Sequence, residues 1–233
     1  METVGKLHVE LARAGIGSRR KADRAICEGR VRVNGEVVRE PWHRVDLDVD
    51  TIEVDGKPVS ALPSFSYYML NKPVGYLCSN RREGKSPLVI DLFDGDVHLF
   101  TVGRLDKATS GLILVTNDGD FANKVMHPSS EVVKEYIVKV DHPISHDDLV
   151  TMGKGVHVDG NALVPRTVSK VRRNTVKITL CEGKKHEVRH IVKGAGLVIL
   201  SLTRVRIGQL RLGSLPVGAY RPLTERERLA IFA

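Results

Sequence analysis

One acidic side chain, Asp106, stands in the run Gly103-Arg104-Leu105-Asp106-Lys107-Ala108-Thr109-Ser110-Gly111, directly ahead of the apolar residues Leu112, Ile113, Leu114 and Val115. Gly111 on one side and the turn-forming Asn117-Asp118-Gly119 on the other bound that stretch, the pattern of a short strand buried on both faces. Such a strand needs no charge beside it, but it can hold a loop carboxylate in one place. An ionised carboxylate held there can attack an electrophilic carbon or stabilise oxocarbenium-like charge. Taken alone, a loop Asp is a turn or capping residue, so the chemistry depends on its company. The glycine spacing is not the Gly-x-x-x-x-Gly-Lys-Ser/Thr of a phosphate-cradling loop.

Two further groups suit such a carboxylate. In Lys134-Glu135-Tyr136-Ile137-Val138-Lys139-Val140, alternation puts Tyr136, Val138 and Val140 on one face and Glu135, Ile137 and Lys139 on the other, so Tyr136 points inward. Spacing alone makes it a core tyrosine. Arg189 lies in Glu182-Gly183-Lys184-Lys185-His186-Glu187-Val188-Arg189-His190-Ile191, where Val188, Ile191 and Val192 give a buried helical face. By itself Arg189 is a surface charge; Lys184 and Lys185 precede a helix start that favours anions. His186 and His190 have the spacing of a helical metal pair, but no acidic or sulfur ligand completes a set. Cys27, Cys78 and Cys181 are odd in number, far apart and without a Cys-x-x-Cys pair, so neither a disulfide framework nor a zinc site is expected. No metal is expected.

These groups must be positioned by several elements. A strand over 67–70 leads into Asn71-Lys72-Pro73-Val74-Gly75-Tyr76, and the polar loop 79–86 carries Arg81, Arg82 and Lys85. Phe121, Ala122, Val125 and Met126 space themselves as a helix face that His127-Pro128 ends. Ser145 with Asp148, and Thr224 with Glu227, mark two further helix starts. Ahead of all this, Leu7 and Leu11 make a short helical face, and a second helix starts at the N-cap Ser18. It turns Ala22, Ala25 and Ile26 inward and stops at Gly29. Arg30-Val31-Arg32-Val33, the Asn34-Gly35 turn and Glu36-Val37-Val38 form a hairpin, followed by Thr51-Ile52-Glu53-Val54. Arg19, Arg20, Lys21 and Arg24 fill the exposed side of the second helix, and Arg30 and Arg32 project from one side of a strand; such groups meet phosphates. Pro58, Pro63 and the interleaved serines mark a linker. The expected division is therefore a domain over 1–60, a linker over 61–66 and a second domain over 67–233.

The 233 residues, 42% hydrophobic, suffice for a sizeable core and a small second domain. No run reaches membrane-spanning length, and Met1-Glu2-Thr3-Val4-Gly5-Lys6 is not a secretory signal, so a cytoplasmic home and no membrane partner are expected. The formal charge of +8 is uneven: residues 1–60 hold 11 Lys+Arg and 11 Asp+Glu, residues 61–165 hold 10 and 13, and residues 166–233 hold 15 and 4. A C-terminal excess of that size attracts polyanions by counterion release.

The Gly-Arg-Leu-Asp, Thr-Ser-Gly-Leu string ending in an apolar strand resembles the catalytic signature of RNA pseudouridine synthases. Asn71-Lys72-Pro73-Val74-Gly75-Tyr76, the Lys-Glu-Tyr context of Tyr136 and the block 182–191 resemble the same family. Ala14-Gly15-Ile16-Gly17-Ser18-Arg19-Arg20-Lys21-Ala22 with Gly29-Arg30-Val31-Arg32-Val33-Asn34-Gly35 resembles the RNA-binding domain named after ribosomal small-subunit protein four, over about residues 5–60. Two motifs depart from the commoner patterns: Lys6-Leu7-His8-Val9 stands where Arg-Leu-Asp-Lys is usual, and the block 182–191 has Glu187 for Gln and His190 for a second Arg.

The tandem implies a fold of the α+β class: a small helix-helix-strand RNA-binding domain, then a synthase domain whose mixed, mainly antiparallel sheet is flanked by helices around a central cleft. It implies a synthase of the RsuA type that isomerises one uridine of ribosomal RNA, either free or in an assembling particle. Asp106 is then the nucleophile, Arg189 its ion-pair partner and Tyr136 the stacking face. RNA contacts fall to Arg104, Lys107, Ser18, Arg19, Arg20, Lys21, Arg30, Lys184 and Lys185. Nothing is consumed in the reaction, so no cofactor is expected, and a monomer is. The competing class is a catalytically inactive RNA-binding or ribosome-assembly factor of the same fold. A glycoside hydrolase would need a second, comparably placed carboxylate, which the motifs do not offer.

Overall fold

In the computed structural model, residues 4–46, 48–59, 64–82, 84–95, 97–181 and 183–233 are described. They divide into one unit of Met1–Phe65 with Gly95–His98 and another of Ser66–Asp94 with Leu99–Ala233. Of the linker expected over 61–66, residues 61–63 lie outside the described residues.

The first unit runs β1 (Val4–Lys6), α1 (Leu7–Arg13), α2 (Arg19–Cys27), β2 (Val31–Val33), β3 (Glu36–Val38), β4 (Arg44–Asp46), β5 (Ile52–Val54) and β6 (Lys57–Pro58). Strands pair in the order β3-β2-β5-β6, with β1 and β4 as a separate pair. The Ser18 hydroxyl accepts from the Lys21 amide at 3.4 Å and caps α2, while Gly29 at φ +75° lets the chain leave it. Leu7, Leu11, Ala22, Ala25 and Ile26 are buried with Val31, Val33, Ile52 and Val54, so apolar spacing and strand alternation agree on one core.

The second unit contains β7 (Tyr67–Lys72), β8 (Phe100–Val102), β9 (Ser110–Thr116), α3 (Gly119–Met126), β10 (Lys134–Val140), α4 (His146–Lys154), β11 (Val156–Val158), β12 (Asn161–Leu163), β13 (Thr167–Arg172), β14 (Thr175–Leu180), α5 (Glu187–Gly194), β15 (Ile199–Ile207), β16 (Leu210–Arg211), β17 (Tyr220–Pro222) and α6 (Glu225–Ala230). The main sheet runs β13-β14-β10-β15-β9-β7-β17, with β16 on β15 and β8 on β9. Only β15 with β9 is parallel among these pairings, so the sheet is mixed and mainly antiparallel, as expected. Among the described residues no helix is long and apolar enough to cross a membrane.

β9 is the strand that both faces bury. Ile113 and Val115 enter the core shared with Met152 of α4 and Val188, Ile191 and Val192 of α5. Leu112 and Leu114 enter the core shared with Ala122 and Val125 of α3 and with Ile231. Each of these β9 side chains is at most 1% exposed, worth about 1.5–3 kcal/mol apiece by burial. One edge of β9 serves two neighbours: β8 pairs with it at 114–116 and β15 at 110–111, so the loop 103–109 overhangs the seam between β9 and β15. That close approach needs Gly111, at φ +104°, because an added Cβ would lie 2.2 Å from the Arg204 carbonyl oxygen.

Candidate active site

The loop 103–109 is fastened from below by a lysine. Lys72, at the end of β7, is fully buried, and its Nζ donates to the carbonyls of Pro73 at 3.0 Å, Asp106 at 3.2 Å and Thr109 at 2.8 Å. Burial pulls its pKa below the usual lysine range, and the neighbouring Cys78 and Asp106 oppose that fall. The Gly75 amide donates to the Lys107 carbonyl at 2.8 Å, the Thr109 amide to the Asp106 carbonyl at 3.0 Å, and the Leu105 amide to Cys78 Sγ at 3.3 Å. With its backbone fixed at five points, the loop presents the Asp106 side chain in one direction.

The two carboxylate oxygens of Asp106 have different partners. Oδ2 faces Arg189 Nε at 3.3 Å, and Oδ1 faces His186 Nε2 at 3.3 Å. The other arm of Arg189 is anchored in turn, since Nη2 donates to Thr109 Oγ1 at 2.9 Å and to the Ala108 carbonyl at 3.1 Å. The guanidinium therefore bridges the carboxylate and its own loop, a geometry a point-charge ammonium cannot reproduce. His186 precedes α5 in a left-handed conformation, φ 56° and ψ 21°. That bend begins the helix and places the imidazole beside Asp106.

Asp106, Arg189 and His186 line a cavity of about 290 Å³ with Tyr136, Arg104, Lys184 and Lys185. The volume sits at the lower edge of the roughly 300–1,000 Å³ of small-molecule pockets. Tyr136 is buried, as its inward place on β10 requires, and Arg104 is exposed where it bounds the cavity. The site thus brings together the three residues expected to react and three of those expected to meet RNA.

Lys107 does not line the cavity; its Nζ donates to Ser86 Oγ at 2.9 Å. Lys184 Nζ donates to the Ala162 carbonyl at 3.3 Å, and Lys185 is exposed. In the first unit Arg19, Arg20 and Lys21 are exposed on α2, whereas Arg30 is held by Asp55, Nε to Oδ1 at 2.7 Å and Nη2 to Oδ2 at 2.5 Å, and also contacts Glu28. Sequence reasoning missed four groups here. His186 was visible only as half of a histidine pair, Lys72 and Thr109 only as parts of motifs, and Arg204, which also lines the cavity, carried no signal of its own.

A family model described as RNA pseudouridylate synthase matches residues 66–193, and one described as S4 domain matches residues 6–50. An uncharacterized RNA pseudouridine synthase of Aquifex aeolicus (strain VF5) is 39% identical over 95% of this chain and 91% of its own length. The dual-specificity RNA pseudouridine synthase RluF of Salmonella typhi is 33% identical over 99% of this chain and 80% of its own length. SVR1 of Arabidopsis thaliana, a chloroplastic protein provisionally named as a ribosomal large subunit pseudouridine synthase, is 43% identical over 97% of this chain, which spans 60% of that protein's length. A solved structure of a pseudouridylate synthase superposes with a TM-score of 0.69 at 29% identity, covering 97% of this chain and 99% of the other.

Proposed function

The chain belongs to the RNA pseudouridylate synthase family and carries an N-terminal S4 domain, and from that premise we propose that it converts one uridine of ribosomal RNA to pseudouridine with Asp106 as the reacting carboxylate. The observation that supports the reading most directly is the Asp106 carboxylate held between Arg189 and His186 in a cavity that Tyr136 also lines.

The reaction breaks the bond from ribose C1′ to uracil N1, turns the ring while it stays bound, and rejoins it through C5. Asp106 takes part as the anion, either at the sugar or by adding to the ring. Arg189 holds that anion in place with a charge that cannot be lost. A stacked base is out of reach, so the target nucleotide leaves its stack and lies against the Tyr136 ring, whose oxygen can relay the C5 proton late in the reaction, taking it up as its own hydroxyl proton passes to water. Arg104 at the rim fills the vacated space or meets a flanking phosphate. Residues 1–60 hold RNA through the exposed Arg19, Arg20 and Lys21, and residues 67–233 carry the chemistry in a cytoplasmic, monomeric protein.

Asp106→Asn tests this with the fewest atoms changed. Ribosomal RNA from cells lacking the protein, incubated with wild type, gains one pseudouridine, while the variant binds the RNA and leaves the site unmodified. Equal modification by both proteins ends the reading.

A further inference from the structure

The sheet beneath the cavity carries two cations that the reaction as proposed leaves unused. Lys134 and Tyr136 alternate onto one face of β10, and Arg204 stands directly across from Tyr136 on β15. All three line the cavity. Arg204 is 3% exposed; its Nε donates to the Leu112 carbonyl at 2.7 Å, and its Nη2 is buried with no hydrogen-bond partner among the described residues. Among the described residues Lys134 Nζ donates to two carbonyls, Val132 at 3.1 Å and Cys181 at 3.3 Å. Burial first, and the neighbouring Arg204 charge second, hold that ammonium below the usual lysine range.

Two like charges side by side under a partly closed surface destabilise the empty protein. Among the described residues of the cavity wall, cations outnumber carboxylates. Among the described residues, Arg104, Lys134, Lys184, Lys185, Arg189 and Arg204 line it with the carboxylates of Asp106 and Glu187. Asp106 is taken up by Arg189 and His186; Glu187 offsets Lys134 in part and accepts from the Lys184 amide at 2.9 Å. A floor charged in this way suits an occupant that becomes negative after it has entered.

We propose that Arg204 and Lys134 form a charged floor that stabilises the negative charge the uracil ring acquires when Asp106 reacts, an inference that rests on the function proposed above. The balance of the step favours it by either route. If Asp106 attacks C1′, an ester bond forms, the C1′–N1 bond breaks, and its electron pair stays on N1, delocalised over O2 and O4. If Asp106 adds to C6, the C5–C6 double-bond pair moves into the ring as an enolate. Both routes transfer one negative charge from the carboxylate to the ring with no proton moved. The charge leaves the Arg189 and His186 side and arrives over Tyr136, flanked by Arg204 and Lys134, which are already in place. A phosphate is the wrong occupant for these two, being hydrated and suited to the exposed Arg104 and Lys185 at the rim.

The barbiturate monoanion, a ring of uracil's size with a full negative charge at neutral pH, probes the floor without RNA or turnover. By ligand-observed NMR titration of the full chain, barbiturate binds wild type about tenfold more tightly than uracil, the gain of one charge-assisted contact. Lys134→Met and Arg204→Met each narrow that preference to within about twofold, and Arg204→Lys retains most of it. Lys134→Met keeps the Arg204 bond to Leu112, so it decides the matter should Arg204→Met not fold. Equal binding of the two rings by wild type, an unchanged preference in Lys134→Met, or displacement of barbiturate by equimolar inorganic phosphate would each overturn the inference. Failure of the functional reading is separate and visible as unmodified ribosomal RNA.

Discussion

Replacing Arg189 separates the charge it supplies from the geometry it imposes. At 3.3 Å and an effective dielectric of about 20, the pair with Asp106 has a gross attraction of about 5 kcal/mol. Water reaches both partners, whose side chains are 30% and 24% exposed, so the useful part falls to roughly 1.5–3 kcal/mol, or about 10- to 150-fold in rate. Arg189→Met loses this and also the anchors to Thr109 and Ala108, letting the carboxylate and its loop drift; a displacement near 1 Å costs a further factor of about 100. The expected loss in single-turnover rate is therefore about a thousandfold or more. Arg189→Lys keeps the charge but cannot reach Asp106, Ala108 and Thr109 together, and should fall about 10- to 100-fold. The assay is release of the C5 hydrogen from uridine-labelled ribosomal RNA under excess enzyme, with thermal melts beside it. Wild-type rates in Arg189→Met, or losses in both variants matched by a collapse in melting temperature, would refute the role given to this residue.

Lys72→Met removes three donors and a buried ammonium together; the relief of burial offsets part of the loss, leaving about 2–4 kcal/mol of destabilisation and a melting temperature lower by about 10 °C. An unshifted melt would show that the loop does not depend on it. Gly111→Ala should lower stability by about 3 kcal/mol or more, since the new methyl meets the Arg204 backbone, and melting within about 2 °C of wild type would contradict the close approach of β9 and β15. Glu227 is held at about 2, below its ordinary 4.5, chiefly by the Arg221 guanidinium at 2.6 and 2.9 Å. Its folded value is the lower one, so its stabilisation is present above about pH 4.5 and is lost as pH falls toward 2. The melting-temperature gap between wild type and Glu227→Gln should accordingly shrink from pH 7 to pH 3, and a gap that widens would reverse the assignment.

What the chain wrote locally could be read from it. The apolar residues of β9 are periodic over no more than a turn, yet their neighbours Gly111 and Asn117-Asp118-Gly119 fix both ends, and the strand is Ser110–Thr116. The caps at Ser18, Ser145 and Thr224 were equally legible because a cap is a contact across three residues. Glu135 shows where locality ends. Alternation sets it on the face opposite Tyr136, which suggests solvent, but it is buried because Arg206 lies across from it on β15 and holds its carboxylate at 3.0 Å.

The site itself is almost wholly non-local. Arg189 and Asp106 are 83 positions apart, so no spacing rule could join them; the motif resemblance supplied the pair and the sheet supplies its distance. His186 was hidden for a different reason. Its spacing from His190 fits one helical face, but the left-handed backbone at His186 puts it outside the helix that carries His190, and their rings stand 6.3 Å apart. A residue without glycine's freedom sits in that conformation only where its surroundings impose it, at an energetic cost. Here the backbone bend that starts α5 also brings a second nitrogen to the Asp106 carboxylate, so the strain and the placement of the reacting group have one origin.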